Sequence, residues 1–169
     1  MSLPSWIPPL ITFESYSGNW VNYENALYTI FEKDFIKSKP VLNGKPVFCI
    51  KDPMFQGKFF TFCHITTEGG PREEDRTPDI RRCERISWLK KIIENSTDSC
   101  IKTWENTRTN KKSRNKKRTN ILFDENGETI HMVLSRNAKS YILITVYYVD
   151  RPHNRQKLIN EYLSCTKSP

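Results

Sequence analysis

The chain has 169 residues, of which 37% are hydrophobic and 27% charged, with a formal net charge of +8. That length suits one domain (1–169) with a real core, and the composition excludes a wholly disordered chain. The longest apolar run, in SYILITVYYVD, is far short of the roughly 20 residues of a membrane helix, so no membrane partner is expected. The proline-rich start, MSLPSWIPPLI, lacks the basic opening of a secretory signal.

Residues 1–18 read as an extended arm laid on the core. In NWVNYENALYTIFEKDFIKSKP, the residues Trp20, Tyr23, Leu27, Ile30, Phe31 and Phe35 recur near helical spacing. Asn19 or Asn22 can cap this helix, and the approach to Pro40 stops it. LNGKP is a turn, and VFCIKD a short strand. KFFTFCHITTEG, rich in aromatic and β-branched residues, predicts a longer strand with Phe60, Phe62, His64 and Thr66 on one face. A charged loop over 68–76 leads into TPDIRRCER, where Thr77 is placed as N-cap, Pro78 as the first helical residue and Asp79 in the first turn. Helical pattern continues through WLKKIIEN.

From IKTWEN onward, strands joined by turns are expected, with Glu125-Asn126-Gly127 a hairpin signal. In YILITVYYVD, strict alternation assigns Ile142, Ile144, Val146 and Tyr148 to the core face. Tyr141, Leu143, Thr145, Tyr147 and Val149 then share the other. PHNRQKLINEYLSC closes the chain as a helix. The order of elements argues an α+β fold, mainly an antiparallel sheet with N-terminal, central and C-terminal helices.

The charge is concentrated. Between Lys102 and Arg118 stand eight Lys or Arg against one acid, Glu105. The segment 108–119 reads as an exposed basic loop within the domain, where Lys111, Lys112, Arg114, Lys116, Lys117 and Arg118 would attract phosphates through charge and counterion release. A solvated hairpin tip without a partner is the plainer alternative. The five cysteines form no Cys-x-x-Cys pair, which supports neither a zinc cluster nor a disulfide framework. Reduced thiols in a cytoplasmic protein are expected, with no metal and no cofactor.

Thr145 and Tyr147 would lie about 6.5–7 Å apart on one strand face, able to hydrogen-bond a phosphate or stack on a base. The competing reading is a second core face. His64 can exchange protons near neutral pH, or it can be a half-buried strand histidine. Arg76, Arg81, Arg82 and Arg85 flank a helix start, either as an anion site or as salt-bridge scaffolding. His131 and His153 are weaker candidates, and Cys83 reads as a packed residue. There is no P-loop, dinucleotide fingerprint or nucleophile elbow.

Several stretches together, SWIPPL, FCHITTEGGPREEDRTPDIRRCERISWLKKIIEN, IKTWEN and ILITVYYVDRPHNRQKLINEYL, resemble a family of small uncharacterised proteins common in cyanobacteria and related to phage genes. Through that family the chain resembles the barnase–EndoU–colicin–RelE-like nucleases. The resemblance implies a metal-independent endoribonuclease in which the 2′-oxygen attacks the adjacent phosphorus and a cyclic phosphate results. It implies His64 as acid or base, Arg76 or Arg82 (with Lys139 a further candidate) as the group that stabilises the phosphorane-like transition state, and Thr145 and Tyr147 as accompanying residues. It also implies RNA as partner and an inhibitor or immunity protein as a second. EndoU-like members carry two active histidines, whereas here Glu68 or His153 would have to substitute, and the Lys-rich stretch at 109–118 departs from the pattern. A non-catalytic nucleic-acid-binding module, or an interaction protein that docks an acidic partner, are the alternatives.

Overall fold

Helices cover one face of a six-stranded sheet, and a single C-terminal helix lies against the other. The computed structural model describes the backbone of residues 2–110 and 113–167 and the side chains of 2–107 and 116–166. In chain order the elements are α1 (Trp20–Phe31, running on as a π turn, Glu32–Lys37), β1 (Val41–Leu42), β2 (Lys45–Phe48), α2 (Phe60–Thr66), β3 (Thr67–Gly69), β4 (Arg76–Pro78), α3 (Ile80–Glu84), α4 (Trp88–Glu94), β5 (Ile101–Asn110), β6 (Ser113–Glu125), β7 (Glu128–Arg136), β8 (Tyr141–Tyr148) and α5 (Pro152–Lys167). The sheet order is β1-β2-β8-β7-β6-β5, antiparallel throughout except where β2 runs parallel to β8. β3 and β4 pair separately. The architecture is the α+β one expected. Among the described residues no helix is long and apolar enough to cross a membrane.

Local chemistry accounts for the start of α1 and the β6–β7 turn. The Asn19 side chain accepts the Asn22 N–H at 3.0 Å and caps α1. Tyr23, Leu27 and Phe31, four residues apart, then bury one stripe of the helix. Asn126 and Gly127 both take positive φ, the paired left-handed conformation of a tight two-residue hairpin turn. That turn sets Glu125 opposite Glu128 and so fixes the register of β6 and β7 along their length. The N-terminal segment reaches the core through Trp6, whose ring meets Phe123 edge-on at 6.0 Å and whose indole N–H donates to Asp98 at 3.1 Å.

Four sequence expectations are corrected. The predicted strand over 58–69 is mostly helix. Thr61, Phe62, Cys63, Ile65 and Thr66 of α2 are buried on nearly all sides, and packing against Tyr28 and Phe31 outweighs their strand propensity. His64 is therefore a helical residue, and Phe60, Phe62, His64 and Thr66 do not share a face. Asp79, not Thr77, caps α3: its carboxylate accepts the Arg81 and Arg82 N–H groups, while Thr77 and Pro78 stay in β4.

The described part of the basic segment 108–119 is strand, where a loop was expected. It continues β5 and β6 as a two-stranded ribbon, because each residue from Ile101 to Arg108 pairs in register with β6. Finally, β8 does not alternate throughout. Val133 pairs with Thr145 and Leu134 with Leu143, so Ile144 is an extra, bulged residue. The core face accordingly holds Tyr141, Leu143, Val146 and Tyr148, while Ile142 and Ile144 are only half-buried.

Candidate nucleic-acid interface

The C-terminal end of α2 is held by arginines. Arg76 donates Nε to Thr67 Oγ1 at 2.9 Å and Nη2 to the carbonyls of Thr67 at 2.7 Å and His64 at 3.1 Å. Its Nη1 reaches the Gly69 and Gly70 carbonyls at 3.4 Å. The last carbonyls of a helix lack intrahelical donors, and a planar fork of N–H groups suits them. Arg82 adds a bond to the Thr67 carbonyl at 3.0 Å, and its Nε lies 3.2 Å from Asp79, with both side chains nearly buried. The guanidinium also sits 5.4 Å from the centroid of the Tyr147 ring. Arg76 and Arg82 thus direct most of their donors to backbone and carboxylate oxygens, as the scaffolding alternative expects.

His64 lies beside this pair. Burial first, and the positive charges of Arg76 and Arg82 next, hold its imidazole below the ordinary value of 6.5. Its ring stacks on Phe60 at 5.5 Å. At neutral pH His64 is a neutral, half-buried imidazole able to accept a proton. The thiols are different. Burial pushes Cys83 and Cys49 up to about 12, and Cys63 up to about 11, so none is a ready nucleophile.

On the α5 side of the sheet, cross-strand pairing builds a column of rings. Trp104 on β5 lies parallel to His131 on β7 at 6.0 Å, and His131 stacks against Tyr147 on β8 at 5.9 Å. His131 Nε2 is 2.9 Å from Asn120 Oδ1, and Asn120 is completely buried. Glu161 of α5 accepts from Trp104 Nε1 at 3.0 Å and from Asn106 Nδ2, and Tyr162 packs edge-on to Trp104. Tyr147, 44% exposed, is the outer ring of the column, whereas Thr145 is only 8% exposed. A cleft of about 370 Å³ opens here, lined by Tyr147, Tyr148 and His131 from the sheet and by Asn154, Lys157 and Glu161 from α5.

The basic ribbon begins where β7 ends. Arg118 is the last β6 residue paired to β7, opposite Ser135; beyond it, Lys117, Lys116 and Ser113 pair with β5 alone, across a register shift between Arg108 and Asn110. At about 3.3 Å per residue the two-stranded part of β6 projects about 16 Å. Lys116 and Lys117 are exposed and Arg118 is half-buried. A second cleft, about 440 Å³, is lined by Lys116, Lys117, Arg118, Arg136, Ile142 and Ile144, among others. Exposed Lys139, in the β7–β8 turn, belongs to this end of the sheet rather than to the His64 cluster. Lys111 and Lys112 lie outside the described residues, as does the side chain of Arg114.

The structure therefore gathers His64, Arg76, Arg82 and Tyr147 at the junction of α2, α3 and β8, and sets the basic residues apart at the other end of the same sheet. Glu68 is exposed on β3 and His153 is exposed in the first turn of α5. Among the described residues no group of three His, Cys, Asp or Glu side chains could hold a metal ion. Sequence reasoning gave His131 little weight and passed over Asn120, Trp104, Lys157 and Glu161. The usable signal was the Asn126-Gly127 turn, which fixes the strand register and places Asn120, Leu122 and His131 on one face. Set against known proteins, the chain matches no family model, no curated protein sequence and no solved structure.

Because the native state holds His64 neutral, the unfolded chain binds a proton that the folded chain refuses just below pH 6.5. This part of the stability is complete above 6.5 and falls as the pH drops towards the lower folded value. Urea unfolding from pH 7 to pH 5 should therefore show wild type losing stability relative to His64→Phe. A difference that stays constant with pH contradicts the assignment.

Proposed function

We propose that the protein is a nucleic-acid-binding protein whose β5–β6 ribbon lies against the phosphate backbone. The observation that carries this reading is the placement of the cationic run. Its described part lies on a projecting two-stranded ribbon with Lys116 and Lys117 exposed, beside a cleft to which Arg118 and Arg136 also contribute. Lysine and arginine on such a surface gain affinity by releasing counterions from the polyanion. RNA in the cytoplasm is the intended partner, in keeping with five cysteines that form no disulfide.

A second reading is favoured by one further observation, the neutral His64 imidazole beside Arg76 and Arg82. Bound there, RNA could be cleaved without a metal. The 2′-oxygen attacks the adjacent phosphorus, its proton passes to His64, the bond to the 5′-oxygen breaks, and that oxygen takes a proton from solvent. Arg82 would supply charge to the phosphorane, because it bonds one carbonyl oxygen where Arg76 bonds four.

Two measurements test these readings. The affinity of wild type for RNA should fall steeply as salt rises. Neutralising three cations in Lys116→Gln/Lys117→Gln/Arg118→Gln should make the slope of log K against log salt shallower by about 2 for a single strand. An unchanged slope removes the ribbon from the interface. For the second reading, incubation with total RNA in EDTA should yield 2′,3′-cyclic ends with wild type, while His64→Ala still binds without cutting. Equal cutting by both proteins refutes a catalytic His64, and no cutting by wild type leaves binding alone.

A further inference from the structure

We infer that the partner is single-stranded, and that one of its bases leaves the strand to pack against Tyr147 in the cleft between β8 and α5. This rests on the nucleic-acid reading and adds where the base goes.

The ribbon and the cleft lie on one face of the sheet. Arg118 stands opposite Ser135, and Tyr147 opposite His131, on the same β7 strand. Ser135 and His131 are four residues apart, so their side chains share a face and lie about 13 Å apart. Between them the sheet surface is closed by Asn120 and Val133, both buried, and by Thr145. Arg118 and Tyr147 thus stand towards opposite ends of one sheet face, with a covered patch between them that a bound strand passes over.

Tyr147 has the properties of a base platform. His131 and the Arg82 guanidinium lie against its ring and fix it in place, and a base packs on the exposed part that they leave open. A ring ordered in advance loses little entropy on binding. The cleft beside it is lined by side chains able to pair with a base edge: Asn154 offers a donor and an acceptor and Lys157 a cation. Aromatic platforms beside basic grooves bind single strands because every base has a stacking surface. A base inside a duplex is already stacked and paired, so it cannot reach such a cleft without being extruded.

The test is fluorescence anisotropy with a labelled single-stranded DNA, which lacks the 2′-hydroxyl and so is not consumed, against the same sequence as a duplex. Wild type should bind the single strand more tightly. Tyr147→Ala should weaken that binding roughly 10- to 100-fold, the range expected for one lost base stack, with its salt slope unchanged. Tyr147→Phe, which keeps the ring and checks the fold, should bind like wild type. If Tyr147→Ala binds as tightly as wild type while binding stays salt-sensitive, the base site is wrong and the ribbon reading survives. Tyr147→Phe losing as much as Tyr147→Ala would mean that the hydroxyl, not the ring, makes the contact, which overturns the stack. No salt-sensitive binding of any strand by wild type would end both readings.

Discussion

One extra residue in β8 decides which side of the sheet each later side chain occupies. Upstream of Ile144, Tyr141 and Leu143 point into the main core; downstream, Val146 and Tyr148 do so. A side-chain period of two cannot satisfy both sets, and the bulge absorbs the mismatch. Its consequence is that Thr145 and Tyr147 lie on the opposite face, beside Val133 and His131. Without it, Tyr147 would share the core face with Leu143, and the aromatic column from Trp104 outward would lack its exposed end.

The two faces created in this way are covered very differently. The core face carries Phe123, Ile121, Ile130, Met132 and Leu134 beneath the helices, with Trp88 meeting Phe123 at 6.1 Å. Arg85 fastens the helical layer to the sheet, with Nε 2.7 Å and Nη2 3.1 Å from the Glu128 carboxylate. A bidentate pair of this kind is directional as well as attractive. The other face is covered only in part. Helix α5 is tied down by Arg155 on Asp124 and by Glu161 under Trp104, and it leaves β8 uncovered at Tyr147. The partial cover gives the cleft its shape: a rigid floor, one helical wall, and a basic ribbon at one end.

Much of this was legible in the sequence. The Asn19 cap, the Tyr23–Leu27–Phe31 stripe, the Asn126-Gly127 turn and the closing helix all follow from rules acting over a few residues. The expectations that were corrected depend on distant contacts. FTFCHIT has the composition of a strand, and only its burial among Tyr28, Phe31 and Phe59, with Arg76 satisfying its last carbonyls, makes it a helix. The bulge at Ile144 leaves no local mark in a run of alternating strand formers. The charged stretch around Lys116 and Lys117 looked like a loop because it lacks apolar residues, yet a strand needs none where successive side chains are both exposed. The arginines at the start of α3 were recognised as a cluster, but a sequence cannot show that Arg76 spends its donors on backbone oxygens.

The central claim is that nucleic acid lies along one sheet face, from the ribbon to Tyr147. The most direct measurement is a map of amide and side-chain chemical shifts in isotopically labelled protein during titration with a short single-stranded oligonucleotide. The account predicts that the perturbed signals include Lys116–Arg118, Ser135, Tyr147 and the first turns of α5, with the helical face unmoved. Perturbations confined to the helical face, or to the far end around Glu125 and Asn126, would contradict it.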